Sequence, residues 1–364
     1  MNHRSSTTSA RGIRALISFI AIGAALVVGF SAPAYAQKKN FSVCWSIYVG
    51  WMPWDYGAQQ GIVKKWADKY GISIDVVQIN DYIESINQYT AGKFDGCAMT
   101  NMDALTIPAA GNVDSTALIV GDFSNGNDGI VLKGQKELKD IKGQKVNLVE
   151  LSVSHYLLAR ALGGVGMSEK DISVVNTSDA DIVGVYGSKG VTAVVTWNPL
   201  LSTIMQNPES HEVFNSSQIP GEIIDLMVVN TKTLKKNPKF GKALTGAWYE
   251  IMTTMQGKSD KAVKARTAMA KDSGTDLAGF EAQLKTTAMF YKPADAVTFT
   301  DSPKLKTTMQ YVAEFSFKHG LLGTGAPDAN FIGIETPAGV YGNPENIKLR
   351  FDPTYMKLAA DGKL

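Results

Sequence analysis

The residues with most chemistry to offer lie near the start of the chain. The segment 44–56, CWSIYVGWMPWDY, carries three tryptophans, two tyrosines and one carboxylate around what reads as a strand-to-helix turn. Tyr48, Trp51, Trp54 and Asp55 would project beyond the carboxyl end of that strand, where open α/β sheets bind their ligands. Further carboxylates fall at later expected strand ends: Asp103 in TNMDAL, Glu150 in VELSVSHY, and Asp225 on a returning segment. Ser152 and His155 follow Glu150 and could hydrogen-bond a ligand or cap the next helix, and Trp197 in TWNP could supply a second aromatic wall. Rings beside carboxylates suit a small planar or ammonium-like cation. A ring face contributes about 0.5–2 kcal/mol to holding a cation, and a carboxylate can pair two N–H groups of a guanidinium in one bidentate contact. The plain alternatives stand beside this reading: aromatic residues are often sheet core, and acids stabilise helix starts through the dipole.

Positioning these groups requires alternating strands and helices. A strand over 41–49 turns at Gly50 into a helix over 53–70, with Pro53 in its first turn. Strands over 72–79, 95–100 and 115–120 alternate with helices over 81–91 and 101–110, which is the pattern of a parallel sheet. The polar, glycine-rich run 121–129, GDFSNGNDG, then reads as a crossing into a second lobe. That lobe repeats the α/β rhythm, with strands over 130–132, 144–149, 172–175 and 191–196 and helices over 155–162, 180–187 and 199–205. Segments 212–214 and 223–229 are expected to complete its sheet. Residues from 234 on read as largely helical, with Trp248, Tyr249, Met252 and Met255 at core spacing, and the Gly- and Pro-rich tail 322–364 as a surface wrap. The expected fold is α/β and two-lobed, each lobe a mainly parallel sheet flanked by helices, with two hinge crossings. Lobe 1 takes 37–124 and 230–364, and lobe 2 takes 125–229.

Residues 1–36 read as an export signal: Arg4, Arg11 and Arg14 precede an apolar run over 15–30, and Ala34-Tyr35-Ala36 is a small-x-small cleavage site. Removing it takes three basic residues from 36 and none of the 34 acidic ones, leaving 33 against 34. Such a balance excludes the basic patch that nucleic-acid binding needs, and no later apolar run is long enough to span a bilayer. Enzyme signatures are missing too. The four histidines, His3, His155, His211 and His319, form no HExxH, and there is no GxSxG or Walker-type loop. Neither a catalytic residue, a metal nor a cofactor is therefore expected. Cys44 and Cys97 read as buried free thiols, a disulfide staying open only if their strands are neighbours with suitable geometry.

With those motifs placed, the chain resembles periplasmic substrate-binding proteins of ABC importers in the nitrate, sulfonate and taurine branch. The resemblance is carried by PWDYGAQQGIVKKW, YTAGKFDGCAM, LKDIKGQKVNLVELSVSHYLLARAL and VTAVVTWNPLL, in that order, over about 41–320. Within the branch, CWSIYVGWMPWDY with TNMDAL and SNGNDGIV is similar to binding proteins encoded near urea carboxylase. That resemblance implies a type II two-lobed fold and a monomeric periplasmic receptor closing on a guanidinium-like solute. The partners it implies are an inner-membrane permease with its ATPase. Urea, a short amide or amine, a taurine- or nitrate-type anion, and an enzyme like the pyrimidine-precursor synthases of this fold are the alternatives.

Overall fold

The computed structural model describes residues 38–364, so the expected signal segment lies outside the described residues. Thirteen strands among the described residues form two sheets. They are β1 (Asn40–Trp45), β2 (Ser73–Gln78), β3 (Gly96–Thr100), β4 (Ser115–Phe123), β5 (Asp128–Lys133), β6 (Lys145–Leu148), β7 (Ser173–Asn176), β8 (Ala193–Trp197), β9 (Ser210–Asn215), β10 (Ile224–Asn230), β11 (Gly333–Thr336), β12 (Gly339–Tyr341) and β13 (Ile347–Phe351). The helices, in chain order, are α1 (Met52–Gln59), α2 (Ile62–Lys69), α3 (Tyr82–Thr90), α4 (Asn101–Ala104), α5 (Val153–Gly164), α6 (Asp179–Tyr186) and α7 (Leu200–Ile204) in the first two-thirds. They continue with α8 (Thr231–Lys236), α9 (Pro238–Met255), α10 (Asp260–Asp272), α11 (Leu277–Leu284), α12 (Pro293–Asp301), α13 (Pro303–Lys318) and α14 (Thr354–Ala360).

The larger sheet has the order β12-β11-β13-β4-β10-β3-β1-β2, and the smaller β7-β6-β8-β5-β9. Strand 224–230, expected in the second sheet, is instead the antiparallel centre of the first, between β3 and β4. Its apolar pattern, buried on both faces, suited either sheet; the crossover returns it to the larger one. Both sheets are therefore mixed. The larger has four parallel and three antiparallel pairings, the smaller two of each. β5 and β10, the strands that follow each crossing, run antiparallel to their neighbours, since a strand entering from the other lobe arrives without a helical return. The two crossings, 124–127 and 216–223, are bonded to each other through Ser124 Oγ and Ser216 Oγ at 2.6 Å.

The expected helix 53–70 breaks in two at Gly61, whose φ of 69° is left-handed and open to glycine without strain. Asp81 caps α3 by accepting from Glu84 N–H, as its spacing predicts. The tail does not merely wrap the surface: it contributes β11–β13, with β13 pairing parallel to β4, so short strands hidden among Gly and Pro extend the sheet edge. Trp248, Met252 and Met255 are fully buried on α9. Cys44 and Cys97 face each other in register on β1 and β3 and form a disulfide, correcting the free-thiol expectation. Strand adjacency, invisible in the sequence, brings the two sulfurs together. No helix among the described residues is long and apolar enough to cross a membrane.

Candidate functional site

Between the sheets lies a small cavity lined by Tyr48, Trp51, Tyr82, Thr100, Asp128, Val153, Trp197, Ile223 and Asp225. Its volume is about 10 Å³, room for about one water or a planar group of similar thickness. Four rings form one wall running from lobe 1 into lobe 2: Tyr48 to Trp51 at 4.9 Å between centroids, Trp51 to Tyr82 at 5.6 Å, and Tyr82 to Trp197 at 5.6 Å. The lobes touch around it. Trp197 Nε1–H donates to Ile47 O at 3.3 Å, and Val49 N–H to Asn198 O at 3.3 Å. Trp51's indole N–H is buried without an acceptor.

The opposite side is acidic. Asp225 on β10 sits directly across the ladder from Asp122 on β4, a placement that is unfavourable for two charges. Asp122 Oδ1 accepts from Tyr48 O–H at 2.9 Å, while Oδ2 of Asp122 and Oδ2 of Asp225 are buried with no partner. Asp128 opens β5 and accepts from Ser124 O–H at 2.5 Å. Burial, opposed by the bonds from Asp225 and Tyr48, pushes Asp122 up to about 7. Burial likewise lifts Asp128 to about 7, and burial with the neighbouring Asp122 and Asp128 charges holds Asp225 well above the usual carboxylate range. No lysine or arginine lines the cavity. Gly50 makes the close approach feasible: a Cβ there would lie 2.5 Å from Tyr48 Cε1 and 2.6 Å from Asp122 Oδ2.

Of the residues singled out from sequence, Tyr48, Trp51, Trp197 and Asp225 line the cavity. Asp103 stands behind it, fully buried, with Oδ2 accepting from Tyr82 O–H at 2.7 Å and Thr100 O–H at 2.8 Å, and its carboxyl is raised to about 6 by burial. It holds two lining residues in place. Trp54 is core, stacked on Trp248 at 4.8 Å, because a residue three positions after Trp51 on α1 faces α9. Asp55 lies on the outer side of α1, bonded by Gln59 Nε2 at 2.7 Å. Glu150 is exposed at a separate opening beside Asp81, Glu84 and Asp179. Ser152 is the N-cap of α5, accepting from Ser154 N–H. His155 is buried in another cluster, with Glu169 and His319.

Sequence reading missed Tyr82, Thr100, Asp122, Asp128, Val153 and Ile223. Asp122 and Asp128 lay inside the run taken as a crossing, GDFSNGNDG, and two acids flanking a hinge were the available signal.

Mixed sheets of orders such as these, two lobes joined by two crossings and a small cavity between them define the periplasmic-binding-protein fold of type II. The chain belongs to the NMT1/THI5-like family, whose model matches residues 64–262, more than half of its length. A binding protein of Brucella abortus is 25% identical over 221 residues, 60% of this chain and 67% of its own. In structure, the chain is similar to the alkanesulfonate-binding protein of Xanthomonas axonopodis pv. citri bound to MOPS, with a TM-score of 0.65 at 15% identity, over 79% of this chain and 96% of that one. The nitrate-binding protein of Synechocystis PCC 6803 gives a TM-score of 0.57 at 13% identity, over 90% and 99%. These relatives are binding proteins, not enzymes.

Proposed function

We propose that this chain is the periplasmic solute receptor of an ABC importer and that its solute is a small nitrogenous cation, guanidinium or a close derivative. The observation that carries the solute class is the set of buried carboxylates, Asp122, Asp128 and Asp225, beside a cavity lined by no basic side chain. A unit charge about 4 Å from a carboxylate interacts by roughly 4 kcal/mol at an effective dielectric of 20, more than any one ring supplies. The acids therefore set the sign of the ligand, and the rings set its flatness. That sign disfavours the nitrate and sulfonate anions named for the structural neighbours. Likeness to the binding proteins of sulfonate ABC transporters supports delivery to a membrane permease with its ATPase.

A second reading keeps the receptor and exchanges the solute for urea or a short amide. Trp51's unpartnered N–H favours it, because a carbonyl oxygen would accept there while the amide N–H groups reach the carboxylates. Calorimetry of the compact unit Gln37–Leu364 against guanidinium, urea, taurine and nitrate tests both. Guanidinium is expected to bind tightest; binding of the anions alone would overturn the cation reading.

A further inference from the structure

Away from the cavity, three side chains from three separate segments converge. His155 lies in the first turn of α5, Glu169 in the short turn after it, and His319 just past α13. His155 Nε2 is 2.8 Å and His319 Nε2 is 3.2 Å from the same Glu169 Oε1, and the three atoms all fall within 4.8 Å of one another. Yet none of these contacts has the direction of a hydrogen bond, and all three atoms are shut off from water without a partner. His155 is 4% exposed. Buried donor atoms without partners, at such separations, fit the edges of a coordination polyhedron. Two imidazoles and one carboxylate are the ligand set that zinc and its first-row neighbours take, with a further position left for water.

We propose that His155, Glu169 and His319 form a binding site for a divalent first-row transition ion, zinc above all, which ties the two lobes together. His155 and Glu169 belong to the lobe of the smaller sheet, whereas α13 packs on α4 and β12 of the larger one. Tyr156 against Phe315, at 5.2 Å and 88°, already joins α5 to α13 beside the site. An ion held by both sides favours the closed arrangement, as any ligand does that binds one state better.

One contact opposes ligation. Leu151 N–H donates to His155 Nδ1 at 3.1 Å, whereas ligation through Nε2 puts the ring proton on Nδ1. Leu151 is a non-glycine residue at φ 62°, a left-handed conformation of low population. Reversing the Glu150–Leu151 peptide returns Leu151 to negative φ and turns the Glu150 carbonyl toward Nδ1–H, the acceptor that a ligating imidazole needs. The metal therefore carries a local signature: loss of the left-handed Leu151.

The test is equilibrium dialysis of Gln37–Leu364 with zinc chloride, and with cobalt(II) chloride, whose ligand-field bands report coordination. One equivalent is expected to bind the wild type. His319→Ala and Glu169→Gln, each confirmed as folded by its thermal melt, should lose affinity by about 100-fold or more, since even outer-shell losses cost 10–100-fold. Asp225→Asn should keep the full equivalent, which places the ion away from the acidic cavity. Retention unchanged in His319→Ala and Glu169→Gln, or no equivalent bound by the wild type, would overturn the proposal and leave the trio as a direct histidine–carboxylate contact. Neither result depends on which solute the cavity takes.

Discussion

Glu222 and Asp225 lie three residues apart on the segment that returns from the smaller lobe, and they end in opposite circumstances. Glu222 is completed by the protein's own guanidinium: Arg160 Nε and Nη2 donate to its two oxygens at 2.8 and 2.9 Å, and Tyr156 O–H donates at 2.6 Å. Burial raises Glu222, but the Arg160 and Tyr156 bonds outweigh it, and the carboxyl stays below its ordinary range. Asp225 also has a tyrosine beside it, Tyr48, but a second acid, Asp122, where Glu222 has the guanidinium, and its carboxyl is raised well above the ordinary range. The difference teaches what the cavity lacks. Glu222 shows a fork of N–H groups beside a tyrosine as a stable solution in this fold; on the proposed reading, a guanidinium solute would offer the same fork to Asp225.

The comparison breaks most sharply if Asp225→Asn still binds guanidinium. Removing one buried partner of a charged, hydrogen-bonded pair costs about 2–5 kcal/mol, so calorimetry should show affinity falling roughly 30-fold or more. Urea affinity should change only a few-fold in the same variant, and equal losses for both would favour the neutral solute. Next in size is Arg160→Ala made in the Asp225→Asn background, so that the cavity no longer responds. With Arg160 partly exposed, the lost pair is worth about 1–2 kcal/mol of stability. Added millimolar guanidinium should recover part of the lost melting temperature if the two places are chemically alike.

Smallest per step is the pH dependence. Asp122 and Asp128 hold protons up to about 7 in the folded chain, against about 4 in the unfolded one. Their contribution to stability is thus fully present below about pH 4 and is lost as pH rises through about 7. A bound cation reverses the sign, because it favours the ionised carboxylates. Guanidinium affinity measured from about pH 5 upward should rise by about tenfold per unit, if one proton leaves per ligand, and level off above about 7. A flat profile would mean the carboxylates are already ionised without ligand.

Much of this was legible in the sequence because it is local. Apolar alternation and capping placed β1 to β4, and Asp81 capped the helix expected of it. The glycine-rich run marked the crossing, and Tyr48 and Trp51 stood beyond β1 because a turn there leaves them nowhere else to point. The same local logic failed one helical turn later. Trp54 and Asp55 follow Trp51 on α1, and only the position of α9 decides that Trp54 stacks on Trp248 while Asp55 faces outward.

The sequence by itself determined the alternation of strands and helices, the aromatic turn and the scarcity of histidine that argued against enzyme chemistry. Tertiary structure alone decided which strands are neighbours. Pairing of β1 with β3 made the disulfide, insertion of β10 between β3 and β4 set Asp225 against Asp122, and docking of α13 beside α5 brought His319 to His155 and Glu169. Each of these meetings joins residues dozens to more than a hundred positions apart. Strand order and helix docking are settled by burial of whole faces, and the residues that carry the charge contribute little to that choice.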